Sequence, residues 1–267
     1  MSMFRVFLVT LLLSISTSSI AEIKEVKVCD DNAEWPPYMY YVREDGKPNK
    51  SKLTGATNDL LDRIFEISNI DYSTKMLPWK RCLNEVLEGH TFEVFADGSS
   101  NEERLKKYHR SNTIYKTTEG LFFSKKRFPD GLNLSSAKDL NKYKLCGISG
   151  YNYANYYALG VKEDVDTGVN SASKAFQKLS TDRCDVFLST VEPIFGAVAI
   201  KQFSLGSDIN HETLPGGKGT FFYLWISKNS TRATMLVDTI NTAIDKLYSN
   251  GEADAIYKKY LPGGTAL

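Results

Sequence analysis

The sequence predicts an α/β protein of two lobes, each a mostly parallel sheet flanked by helices, with two extended strands crossing between them. Three observations predict it. A strand, helix, strand, helix, strand series stands near the start, a second such series begins near residue 143, and apolar, β-prone segments border the second series on both sides.

Residues 1–21 are set apart from the fold. A single charge, Arg5, precedes an apolar run from Val6 to Leu13, and small residues lead to Ala21. An apolar core of about ten residues with a small-x-small exit reads as a secretory signal peptide, since a membrane span needs about twenty. No cysteine adjoins the expected cleavage point, so no lipid anchor is expected, and no later stretch is long and apolar enough to span a bilayer. These features place the chain in the periplasm of a bacterium with two membranes.

In the first series, Glu25 to Cys29 alternates as a strand and runs into a loop carrying Trp35, Pro36, Pro37 and Tyr38. A helix is expected from Ala56 to Ser68, where Leu60, Leu61, Ile64, Phe65 and Ile67 recur at helical spacing and Thr57 or Asn58 can cap the start. Tyr72 to Leu77 returns as a strand, Arg81 to Glu88 forms a helix stopped by Gly89, and Glu93 to Ala96 is a third strand.

The second series opens with a strand from Tyr143 to Ile148. Helices follow over Asn152 to Leu159 and Ala172 to Leu179, then a strand from Cys184 to Leu188 and a helix from Val191 to Ile200 with Pro193 inside its start. Gly120 to Ser124 and Gly219 to Ser227 read as the two crossings. The expected division is therefore residues 22–119 in the first lobe, 120–218 in the second, and 219–267 returning to the first. Met235, Leu236, Ile240, Ala243, Ile244 and Leu247 mark a long closing helix, and a shorter one follows the Asn250-Gly251 turn.

The 33 basic residues include Arg5 of the leader, so the exported chain balances its 32 acidic residues. That neutrality argues against nucleic acid or an anionic membrane surface as the main partner, because both demand a basic face. Cys29, Cys82, Cys146 and Cys184 fit no close-paired zinc pattern. In an oxidising compartment they read as disulfides, with free buried thiols as the other reading. Of three pairings, Cys29 with Cys82 and Cys146 with Cys184 is favoured, because a bridge between the halves would lock a hinge. Each bridge would contribute about 4 kcal/mol in the loop-entropy picture.

The chain resembles the bacterial extracellular solute-binding proteins of the polar-amino-acid type, which serve ABC importers. The resemblance runs from Val26 to Leu261. It is carried by Trp35-Pro36-Pro37-Tyr38, Gly55, Pro78-Trp79-Lys80-Arg81, Ser99-Ser100, Glu103-Arg104, the Tyr115 segment, Gly147 to Gly150, Arg183-Cys184-Asp185, and the ending from Leu247 to Tyr260. It implies the type II binding-protein fold, a ligand in the cleft between lobes, and a membrane permease as partner to a monomeric receptor. The ligand implied is an amino acid or a related carboxylate.

The resemblance also implies roles for residues. Arg104 matches the arginine that clamps a ligand carboxylate, a task suited to a planar guanidinium. Ser99 and Ser100 stand where the family uses hydroxyl and backbone donors, at a spacing one residue shorter than usual. Tyr38 and Trp35 match an aromatic wall, with Trp79 either lining the pocket or anchoring a helix start. Gly150, Tyr151 and Asn152 match the turn whose N–H groups receive a carboxylate, although Tyr151 is bulky where a small hydroxyl residue is usual. The position of the acid that holds an amino group is Thr190. Glu192 is the candidate replacement, although an acid in a first helical turn also serves the helix dipole.

An enzyme on the same fold, of dehydratase or murein-lyase kind, is the alternative, but no catalytic set is recognisable. His90, His109 and His211 are scattered, and Pro215 to Thr220 is no phosphate loop, because Gly219 separates Lys218 from Thr220. No cofactor and no metal are expected. A ligand sensor for a membrane receptor is the third reading, which an adjacent permease or sensor-kinase gene would decide.

Overall fold

The computed structural model describes residues 25–261; the expected signal peptide lies outside them. Two five-stranded sheets form the frame of the two lobes, and a small hairpin hangs from the first.

The first lobe contains β1 (Val26–Asp31), β2 (Tyr40–Glu44), β3 (Lys47–Thr54), α1 (Ala56–Ile67), β4 (Tyr72–Leu77), α2 (Trp79–Glu88), β5 (Val94–Ser99), α3 (Glu102–Lys107) and β6 (Tyr108–Thr117). The second contains β7 (Glu119–Ser124), β8 (Leu145–Ile148), α4 (Ala154–Ala158), β9 (Val165–Val169), α5 (Ala172–Ser180), β10 (Val186–Thr190), α6 (Val191–Ala199) and β11 (Ile209–Thr213). The chain then returns as β12 (Thr220–Ser227), α7 (Ala233–Ser249) and α8 (Glu252–Tyr260).

The sheets are mixed rather than mostly parallel. In the first, ordered β4-β1-β5-β12-β6, the β1 pairings are parallel and both β12 pairings antiparallel. In the second, ordered β11-β7-β10-β8-β9, β8 pairs parallel with its neighbours and β7 antiparallel with β10 and β11. The antiparallel strands are the two segments that read as crossings, Gly120 to Ser124 and Gly219 to Ser227. They are interior strands because their apolar runs serve two cores at once. Leu121 and Phe123 join one core of the second lobe and Phe122 the other; Leu224 and Ile226 join one core of the first and Trp225 the other. The chain passes between lobes just outside them, at Thr118 and at Lys218-Gly219.

α1 buries the expected Leu60, Leu61, Ile64 and Phe65, but neither expected cap residue caps it. Gly55 occupies the cap at φ 120°, and a Cβ there would meet the Tyr38 carbonyl at 2.2 Å. Thr57 instead turns its hydroxyl to Asp97 Oδ1 at 2.7 Å. α2 starts two residues earlier than expected, with Trp79 buried in its first turn, and ends at Gly89 in the left-handed region at φ 71°. Cys29 bonds Cys82, tying β1 to α2, and Cys146 bonds Cys184, so both bridges lie within a lobe.

Candidate functional site

The cleft forms where strands end. β1 and β5 of the first lobe, and β8 and β10 of the second, point their carboxyl ends at one another, which is where open α/β sheets place ligands. β1 delivers Asp30 and Asp31, β5 delivers Asp97 and Ser99, the turn after β8 delivers Tyr151 and Asn152, and β10 delivers Ser189 and Thr190. Trp35, Trp79 and Phe222 supply apolar wall around a cavity of about 60 Å³.

Arg104 enters from α3, whose first turn is fixed by Asn101 accepting the Arg104 N–H at 2.7 Å. Its guanidinium is buried and stacks 5.5 Å from the Trp79 ring. It donates to the Ser99 carbonyl at 2.7 Å and across the cleft to the Gly150 carbonyl at 3.3 Å. Its hydrogen-bond partners are carbonyl and hydroxyl oxygens only. Burial without a carboxylate partner lowers its pKa to about 10, so it remains a cation at neutral pH.

Further bonds hold the lobes together. Trp79 Nε1 donates to the Gly150 carbonyl at 3.0 Å, Asn152 Nδ2 donates to Ser99 Oγ at 3.0 Å and to the Ser100 carbonyl at 2.8 Å, and the Tyr151 hydroxyl donates to Asp31 Oδ2 at 3.3 Å. Trp35 meets Tyr151 edge to face at 5.5 Å. Every one of these contacts joins a first-lobe group to the β8–α4 turn.

The acids of the first lobe are the unusual feature. Asp97 is buried at φ 52°, a left-handed conformation that aspartate tolerates better than most residues. Its Oδ1 accepts from Thr57 Oγ1 and, at 2.9 Å, from the Tyr115 hydroxyl, which itself accepts from Trp35 Nε1 at 3.0 Å. Asp30 lies beside it, fully buried. Desolvation, then the neighbouring Asp97 charge, pushes the Asp30 carboxyl well above the usual range. Desolvation also lifts Asp97 and Asp31 to about 6.

Residues 26–263 match the model of the bacterial extracellular solute-binding proteins, family 3. The chain belongs to that family. An arginine-binding periplasmic protein of Mannheimia haemolytica is 26% identical over 221 residues, covering 80% of this chain and 84% of the relative. Among solved structures, an ABC uptake transporter substrate-binding protein of Streptococcus pneumoniae with bound histidine superposes with TM-score 0.69 at 22% identity, covering 91% of this chain and 94% of that one. A histidine kinase sensor domain similar to periplasmic binding proteins superposes with TM-score 0.72 at 15% identity, covering 92% and 99%. The structural likenesses establish the type II binding-protein fold.

In this solute-binding protein the cleft gathers seven of the residues singled out in the sequence: Trp35, Trp79, Ser99, Arg104, Tyr151, Asn152 and Thr190. Three lie elsewhere. Tyr38 is in the first-lobe core, stacked on Tyr115 at 3.8 Å, because the turn after β1 folds it under α1. The Ser100 side chain accepts from Arg110 on the outer surface, leaving only its carbonyl for Asn152. Glu192 faces the crossing, accepting the Thr118 N–H and, at 2.8 Å, its hydroxyl. Asp30, Asp31, Asp97, Ser189 and Phe222 line the cleft without having been singled out. Their sequence signal was their position: acids in or just beyond the ends of two expected strands, beside the Ser99 already chosen.

Proposed function

We propose that the protein is exported to the periplasm, binds a small zwitterion of the amino-acid class between its lobes, and hands it to the permease of an ABC importer. Arg104 is the observation that carries this reading. A buried guanidinium bonded only to carbonyls and hydroxyls is an uncompensated positive charge, and a carboxylate is the group that its fork geometry accepts best. Arg104 takes the carboxylate, Ser99 and Asn152 add hydrogen bonds from the two lobes, and Trp35, Trp79 and Phe222 pack on the apolar part. Thr190 lies at the cleft as a neutral donor.

Closure follows from these contacts. The turn from Gly150 to Asn152 bonds to first-lobe groups, so a ligand that bridges the same groups binds the shut state better than the open one and shifts the population toward it. The names of the Mannheimia relative and of the histidine-bound structure support an amino acid as the ligand class. The test is a thermal-shift screen of the twenty common amino acids, small peptides and organic acids, followed by calorimetry. Arg104→Ala should abolish binding of every carboxylate hit while the variant still folds; unchanged affinity would remove the assigned pocket.

A further inference from the structure

Four residues that line the interlobe cavity carry a buried side-chain oxygen with no hydrogen-bond partner among the other described groups. Asp30 Oδ2 and Asp97 Oδ2 come from the first lobe, and Ser189 Oγ and Thr190 Oγ1 from the second. Asp30, Asp97, Ser189 and Thr190 are exposed by only 1, 7, 7 and 9%. Buried polar groups normally find partners, because an unmade hydrogen bond costs more than a made one returns. The two hydroxyls are left for a ligand to complete, and the two acids can find a partner only in each other or in a ligand.

The parallel pairing of β1 with β5, Cys29 opposite Phe95, brings the two acids to adjacent strand ends, where each carboxyl group acts on the other. Neither Oδ2 receives a proton from any other residue, so the arrangement closes only if one proton lies between the two carboxyl groups. One negative charge then remains on the pair. Thr57 and Tyr115 hold Asp97 in place through its Oδ1, and Asp97 is the more exposed member. Arg104 supplies the one guanidinium lining the same cavity. Among the described residues no group of three or more His, Cys, Asp or Glu side chains is placed to hold a metal ion, so a bare cation site does not account for the acids.

We propose that Asp97, with Asp30 behind it sharing a proton, receives the cationic group of the ligand from the first-lobe side, while Ser189 and Thr190 contribute neutral hydrogen bonds from the second. The inference rests on the zwitterion reading above and gives the ligand a direction: cation toward β1 and β5, carboxylate toward α3. It also makes capture sensitive to pH. Asp97 is faced by Asp30 of β1, Tyr38 of the following loop, Tyr115 of β6 and Tyr257 of α8; Asp31 and Tyr151 act on Asp30 behind it, and Arg104 of α3 lines the same cavity. The tyrosines stay neutral and Arg104 stays charged over pH 5–8, so the three carboxyl groups are the ones that titrate.

The experiment is calorimetric titration with the tightest-binding common L-amino acid and with its N-acetyl derivative, which keeps the carboxylate and lacks the cation. Asp97→Asn should weaken binding of the free amino acid roughly 30-fold or more, the loss expected when one side of a buried charge pair is removed. Asp30→Asn should stay within about five-fold, because its amide supplies the shared donor and leaves the charge on Asp97. The N-acetyl derivative should bind wild type and Asp97→Asn alike. Full affinity in Asp97→Asn together with lost binding in Arg104→Ala overturns this inference and keeps the zwitterion reading. Full affinity in both variants, or no amino acid bound by wild type, removes both. Should Asp97→Asn fail to fold, wild type decides: its affinity for the free amino acid should fall at least ten-fold from pH 7.5 to 5.0, while that for the N-acetyl derivative does not. A flat profile for the free amino acid overturns the inference.

Discussion

Gly196 on α6 of the second lobe rests against the Pro36 carbonyl of the first: a methyl group on its α carbon would lie 2.3 Å from that oxygen and 2.8 Å from Pro37 N. Contact this close is available to glycine alone, and it spans the two lobes. Gly196→Ala should therefore hold the cleft partly open. Alanine favours a helix over glycine by about 1 kcal/mol, so the second lobe should keep its stability. The expected result is a larger radius of gyration in solution scattering with ligand present, an affinity at least ten-fold weaker, and a melting temperature that does not fall. Wild-type scattering and affinity would mean that the Trp35 to Tyr38 loop moves aside.

Glu119 ties the two crossings together. Its buried carboxylate accepts from Gly219 N–H and Thr220 Oγ1, both at 2.9 Å, and from Asn155 Nδ2 at 3.1 Å. Alanine would strand three donors beside the hinge. Glu119→Ala should lose roughly 2–4 kcal/mol of stability in urea unfolding, since each orphaned donor costs about 1–3 kcal/mol and some will be rescued by water. Glu119→Gln keeps acceptor capacity at Oε1 and should lose less. Equal losses in the two variants would show that the volume, rather than the bonds, matters at this position.

The two lobes were legible in the sequence because the helices that cover them are strongly periodic: the apolar stripes of α1 and α7 fall at core positions as read. β7 and β12 begin where the sequence placed the crossings, but their role as interior sheet strands was hidden for a physical reason. A strand buried on both faces loses the alternation that marks a half-exposed strand, and Leu121-Phe122-Phe123 looks the same spanning a gap as it does filling two cores. Arg104, Tyr151 and Asn152, which the sequence singled out because their chemistry is local and matches a family pattern, line the cleft. The Asp30–Asp97 pair was missed because nothing local unites it: the two acids meet only when β5 aligns beside β1, and each by itself is an ordinary charge near a strand end. Glu192 was chosen for its charge, and the fold spends that charge on Thr118 instead.

Both disulfides lie within lobes, so their loss should reach stability and leave closure intact. Cys146→Ser with Cys184→Ser opens a loop spanning 38 residues, and Cys29→Ser with Cys82→Ser one spanning 53. Loop entropy assigns about 4 kcal/mol to each. Each double variant should unfold at lower urea concentration by that order. At a temperature where it remains folded, its ligand affinity should stay within a few-fold of wild type. A loss of affinity in a variant that retains its fold would place that bridge in the closing motion.

The first-lobe acids should make stability fall as pH rises from about 4 to 7, the reverse of ordinary acid denaturation. The sign follows from their shifts. Burial lifts Asp31 and Asp97 to about 6 and Asp30 in the same direction, whereas an unfolded aspartate titrates near 3.9. Between these values the native state binds more protons than the unfolded chain, so stability contributed by the protonated acids is present below pH 4 and is lost as pH passes 6. Exposed ion pairs such as Glu103–Lys107 act in the opposite sense but are weak and screened. Asp30→Asn separates the two contributions: it supplies a permanent donor to Asp97 and removes the like charge. It should raise unfolding stability at pH 7.5 by roughly 1–2 kcal/mol and change it little at pH 5, flattening the profile. Urea unfolding of wild type and Asp30→Asn at pH 5, 6, 7 and 8, without ligand, measures the difference; parallel profiles would mean that the pair does not share a proton.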